Sequence, residues 1–197
     1  AGGAAVTNTD GTITSQVSAN KKAGFSIVTY TGDGSSGKTV GHGLDSTPVI
    51  SIRKKRDASS DWFVHYTFVD GTMDFVKLNS TTGDANSSLS AFTSTTLPVD
   101  DNTNQYVSYC WHDVPGYSKF GSYKGNGSSD GQYVHLGFRP AWLLVKNISS
   151  TYDWILMDST RSTENVMNDY FLPNSDSAEG TNSSTIQVDF LSNGFKW

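Results

Sequence analysis

Residues 30–43 read Tyr-Thr-Gly-Asp-Gly-Ser-Ser-Gly-Lys-Thr-Val-Gly-His-Gly, and residues 123–137 read Tyr-Lys-Gly-Asn-Gly-Ser-Ser-Asp-Gly-Gln-Tyr-Val-His-Leu-Gly. The likeness runs on. Pro48 aligns with Pro140, an apolar stretch follows each (Val49–Ile52 and Ala141–Val145), and Asp61-Trp62 then aligns with Asp153-Trp154. Further on, Asn79-Ser80 aligns with Asn174-Ser175 and Phe92 with Phe190, the offset staying between about 92 and 98 residues. A shared order of Gly-rich turn, Pro, strand and Asp-Trp predicts two diverged copies of one unit. The expected domains are an N-terminal strand or linker over 1–22, a first β repeat over 23–115 and a second over 116–197.

Each unit reads as short strands and turns. Phe25–Thr31 alternates as a half-buried strand does. Gly-Asp-Gly and Gly-Asn-Gly mark tight turns, because Gly, Asn and Asp tolerate positive φ. Pro48 and Pro140 stand just before a strand, where a missing amide donor costs least. Trp62–Phe68 and Trp154–Met157 are the next strands, with Val107–Trp111 and Ile186–Phe190 later. Thr163–Tyr170 is the one segment that reads as a helical turn. Strands at this spacing predict an all-β fold of two β-sandwich-like units with antiparallel sheets.

Composition agrees. Hydrophobic residues make up 36% and charged residues only 17%, the remainder being rich in the Ser, Thr, Asn and Gly that favour turns. The acidic residues are Asp apart from Glu164 and Glu179, and helix formers are scarce. A net charge of −5 argues against a nucleic-acid partner, which needs a basic face. No apolar run has the length to span a bilayer, so membrane insertion is not expected. With Cys110 as the single cysteine, neither an intrachain disulfide nor a thiolate metal site can form.

Gly32-Asp33-Gly34-Ser35-Ser36-Gly37-Lys38-Thr39 matches the phosphate-binding pattern G-x-x-x-x-G-K-[ST]. That chemistry needs a helix whose N-terminus points at the phosphates. The residues that follow, Val40-Gly41-His42-Gly43-Leu44 and on to Pro48, will not form one, and the second copy has Gln132 and Tyr133 in place of Lys38 and Thr39. The shared feature is the turn. His42, His65, His112 and His135 show no metal-ligand spacing. Asp100, Asp101, Asn102 and Asn104 cluster the oxygen ligands that calcium favours, without its spacing. Neither a metal nor an organic cofactor is expected. No G-x-S-x-G elbow occurs, and the many Asp residues read as solvated turn residues, so the chain is expected to be non-enzymatic. The basic run Arg53-Lys54-Lys55-Arg56 is expected at a solvated hairpin tip. Trp62 and Trp154 are repeat-equivalent; they read as sheet packing, with an exposed platform for a glycan ring as the functional alternative.

Several segments carry a family likeness: Ala23-Gly-Phe-Ser-Ile-Val-Thr-Tyr-Thr-Gly-Asp-Gly, Val40-Gly-His-Gly-Leu, Gly116-Tyr-Ser-Lys-Phe-Gly-Ser-Tyr-Lys-Gly-Asn-Gly, Gly137-Phe-Arg-Pro-Ala and Val188-Asp-Phe-Leu-Ser-Asn-Gly-Phe-Lys-Trp. They resemble a duplicated domain of structural and tail-fibre-like proteins of marine bacteriophages. The resemblance covers the chain from about Thr7 and offers no catalytic or ligand residues. It implies a virion location, a structural role on a tail fibre or other host-facing appendage, and partners among virion proteins or copies of the chain itself as a homo-oligomer. A host-surface glycan is the further partner implied. A carbohydrate-binding domain in its own right and a capsid decoration protein are the alternatives. The repeat also predicts that a strand equivalent to Tyr106–Trp111 would follow Trp197, supplied by a longer chain or by a neighbouring subunit.

Overall fold

A computed structural model describes residues 2–100 and 102–197. The chain is all-β with antiparallel sheets, and it divides into two compact units. One takes the chain through Lys77 together with Asp84–Gly121; the other takes Leu78–Gly83 together with Ser122–Trp197.

The first unit holds β1 (Val6–Asn8), β2 (Ser15–Asn20), β3 (Phe25–Thr31), β4 (Thr39–Gly41), β5 (Ile50–Lys55), β6 (Phe63–Tyr66), β7 (Asp74–Lys77), β8 (Ala85–Asn86), β9 (Thr96–Pro98) and β10 (Gln105–Trp111). Eight of these form one sheet in the order β1-β2-β3-β10-β5-β6-β7-β8, and β4 pairs with β9 in a second. Alternation decides the faces, since residues two apart share one side of a strand. Val28 and Tyr30 of β3 and Tyr106 and Cys110 of β10 turn to the same buried cluster as Val40 of β4 and Leu97 of β9. The two sheets thus share one core, which makes the unit sandwich-like. Each fully buried Val or Leu contributes about 1.5–3 kcal/mol relative to exposure.

The turn after β3 shows why its Gly residues are there. Gly34 and Gly37 have φ of 80° and 68°, which side chains with a Cβ adopt rarely. Asp33 Oδ1 accepts the Ser35 amide at 2.9 Å, and the Lys38 ammonium lies 3.5 Å from the Asp33 carboxylate. Lys38 is thereby tied to the turn, and the chain leaves it as strand β4.

The second unit holds β11 (Tyr133–His135), β12 (Trp142–Lys146), β13 (Trp154–Asp158), β14 (Asp189–Leu191) and β15 (Gly194–Lys196). Its sheets are β11-β15-β14 and the hairpin β12-β13. Met157, Met167, Val188, Phe190 and Phe195 form its buried cluster, with Leu143 and Ile155 packed against it.

The two units share a register. Ile50↔Tyr66 and Ile52↔Val64 in β5-β6 correspond, 92 residues on, to Trp142↔Asp158 and Leu144↔Leu156 in β12-β13.

Two expectations are corrected. Thr163–Tyr170 is no helical turn: Met167 bridges Val188 and Tyr170 bridges Gly180. Side chains have taken the backbone groups a helix would use. Ser162 Oγ accepts the amides of Asn168 and Asp169, and Asn165 bonds both the amide and the carbonyl of Phe190. The basic run is no solvated hairpin tip either. Arg53, Lys54 and Lys55 lie within β5, and Arg53 is only 1% exposed. Its guanidinium donates to the Asp100 carboxylate at 3.2 Å and to the Pro98 carbonyl.

Two buried histidines make the first unit sensitive to acid. His42 is fully buried; its Nδ1 accepts the Leu44 amide at 3.1 Å while Nε2 faces the Thr93 carbonyl at 3.3 Å. That pattern suits a neutral ring. Burial lowers the His42 pKa, and burial with the nearby Arg53 charge takes His65 well below its ordinary value. The folded chain then binds fewer protons than the unfolded chain once the pH drops below about 6.5. Stability is expected to hold above that pH and to decline below it. Urea midpoints at pH 7.5 and 5.5 check this, and His65→Leu should flatten the decline.

Cys110 is fully buried, and burial raises its thiol to about 12. It is expected to resist a thiol reagent at pH 8 in the folded chain and to react at once in denaturant, which absorbance of the released thiolate would follow.

Candidate binding surface

The two tryptophans singled out by the repeat sit at the second strands of the two hairpins, Trp154 opening β13 and Trp62 one residue before β6. Their surroundings differ. Trp62 is half-buried and its ring lies under the Lys54 ammonium, 5.7 Å from the centroid. Lys54 also donates to the Ser60 carbonyl, which holds it there. Such a cation over an aromatic face contributes about 0.5–1 kcal/mol at a partly exposed site. Trp154 is 6% exposed. Its amide donates to Asn174 Oδ1 at 2.7 Å, and Asn174 Nδ2 donates to Asp153 Oδ1 at 2.6 Å. The Asp-Trp and Asn-Ser pairs that the repeat matched therefore meet in the second unit, where they fasten the start of β13. The Trp154 ring belongs to the packing and offers no open face.

The tryptophan that does face solvent is Trp142, 56% exposed at the first position of β12; Tyr117 and Tyr152 are also exposed. Its cross-strand partner is Asp158, which shares its face of the hairpin. Asp158 holds the Arg161 guanidinium at 2.5 Å, and that guanidinium lies 4.0 Å from the centroid of Phe171 and within 3.5 Å of Glu179. Burial pulls the Asp158 carboxyl upward. The amides of Arg161 and Thr160 and the Arg161 charge outweigh that pull and hold it below the usual range. Trp142 thus presents a flat aromatic face opposite an ionised Asp158 whose oxygens already accept from Thr160 and Arg161. Stacking on such a face is chemistry suited to a sugar ring. Trp142 has no tryptophan counterpart in the first unit, where Ile50 holds its place. The signal available was a tryptophan opening an otherwise aliphatic strand.

Other polar clusters have internal employment. Asp100 accepts from Arg53, and Asn102 Oδ1 accepts from the Tyr106 hydroxyl at 2.6 Å and the Asn104 amide at 3.2 Å. Asp101, the remaining member of the calcium candidate, lies outside the described residues. Among the described residues no three His, Cys, Asp or Glu side chains are placed to hold a metal ion. Tyr66 donates to Asp84, and Lys119 pairs with Asp113.

Two antiparallel β units, one with a shared sandwich core and one with an exposed tryptophan on a short hairpin, define the kind of protein this is. The chain belongs to the family described as Domain of unknown function (DUF7483), whose model matches residues 1–197. No curated protein and no solved structure matches it.

Proposed function

We propose that the chain is a non-enzymatic structural and recognition module of a phage virion, carried on a tail fibre or another host-facing appendage. There it packs against copies of itself or other virion proteins and meets host-surface glycans. The observation that carries the recognition half is Trp142, open to solvent beside Asp158 and Arg161. A ring held on a strand loses little freedom when a ligand stacks on it, so its area converts well into affinity. The virion half rests on the likeness of the quoted segments, with a low charged fraction and turn-rich sheets as its physical background.

Labelling purified particles with an antibody to this chain, read by electron microscopy, tests the location. Gold on tail appendages is expected. Gold spread over the head would replace this reading with capsid decoration, and unlabelled particles of the phage that encodes the chain would refute it. A carbohydrate-binding domain outside any virion is the second reading, favoured by the same Trp142 surface.

A further inference from the structure

The hairpins β5-β6 and β12-β13 share a register, yet their outer edges differ. β5 pairs on its far side with β10 over six residues, from Tyr106↔Lys55 to Trp111↔Ile50. Among the described residues β12 pairs with β13 alone. An edge strand offers a row of amide and carbonyl groups to any extended chain, and proteins usually blunt such edges with charge, proline or a bulge. β12 carries none of these in working order. Its sequence is Trp-Leu-Leu-Val-Lys. The single charge, Lys146, is turned back onto the carbonyls of Thr81, Asn147 and Tyr152, which its ammonium reaches at 3.0, 3.0 and 2.6 Å. The lysine that would guard the edge is thus occupied elsewhere in its own unit.

We infer that the free edge of β12 is an acceptor for one extended peptide strand, added antiparallel in the place that β10 takes beside β5. The inference rests on the correspondence of the two hairpins and not on sugar binding. The chemistry of the incoming strand follows from the side chains it would meet. In the first unit Cys110 lies opposite Ser51 and Ser108 opposite Arg53. In the second unit the positions of Ser51 and Arg53 are taken by Leu143 and Val145, both partly exposed, with Leu143 packed against the buried cluster. An accepted strand keeps β10's alternation but carries apolar residues where β10 has Ser108 and Cys110. Main-chain bonds supply the affinity and these two positions the selectivity, as in other strand additions.

The probe is a synthetic peptide, Lys-Lys-Gln-Tyr-Val-Val-Tyr-Val-Trp, added to the whole chain while backbone hydrogen exchange is followed residue by residue. At a concentration about ten times its dissociation constant, exchange within 142–146 is expected to slow by about tenfold. The same peptide with Asp at the two apolar positions is expected to leave exchange unchanged. Three results would overturn the assignment. One is undiminished exchange across 142–146 at the highest soluble peptide concentration. Another is protection confined to β1 or β8, the edges of the large sheet. The third is protection of β12 before any peptide is added, with sedimentation showing a dimer, which would give the edge to a second copy of the chain. A glycan array probed with the same chain is read separately, so a failure of sugar recognition and a failure of strand addition are told apart.

Discussion

Arg53→Ala is expected to lower the stability of the chain by about 2–5 kcal/mol, the range seen when a large core side chain is truncated and leaves a cavity. Arg53 is the largest fully buried side chain of the first unit, inside a face made by Tyr30, Tyr106 and Ser108. Its guanidinium bonds Asp100 and the Pro98 carbonyl, so it ties β5 to the chain that follows β9. Truncation leaves that carbonyl without its donor and opens a void among close-packed rings. Tyr30 and Tyr106 stack at 5.1 Å, and burial pushes the Tyr30 hydroxyl up to about 12, so it stays neutral at neutral pH. Arg53→Met fills most of the space without needing a partner and is expected to recover part of the loss. Equilibrium urea unfolding followed by Cys110 reactivity reads both variants. An Arg53→Ala chain as stable as the parent would mean the residue is surface-like in solution, as its place in a basic run first suggested.

The second large effect is expected at Phe190. Its side chain is 1% exposed, in the cluster formed with Met157, Met167, Val188 and Phe195. Phe190→Ala is expected to cost about 3–5 kcal/mol, the lost transfer energy plus the cavity left behind. The second unit has a small core, so it has little reserve against such a loss. The amide and carbonyl of Phe190 are held by the Asn165 side chain, which hinders the backbone from closing the void. Near-ultraviolet dichroism during thermal unfolding checks the prediction. Phe190→Leu, nearer in volume, should cost markedly less.

The strand Phe25–Thr31 was legible because β-branched and aromatic residues crowd a short run between Gly24 and Gly32. The 92-residue offset read between Asp61-Trp62 and Asp153-Trp154 is also the offset between Ile50↔Tyr66 and Trp142↔Asp158 in the two hairpins. Arg53 was not legible. Four basic residues in a row look solvated, and the alternation of Ile50, Ser51 and Ile52 puts Arg53 on the side of Ser51, which reads as the outward face and is the buried one. Thr163–Tyr170 was misread for a different reason. Helix propensity is a weak local preference, and here the side chains of Ser162 and Asn165, bonding the backbone across 7 and 25 positions, override it. Trp142 escaped because exposure depends on which strands lie alongside, and that is a property of the sheet rather than of the local sequence.

The most direct test of the account is a glycan array probed with the whole chain and with Trp142→Ala in parallel. The account predicts selective binding by the parent and a loss of at least about tenfold on removing the Trp142 ring, the size expected of a central aromatic contact. A flat array, or binding that Trp142→Ala leaves unchanged, would contradict it.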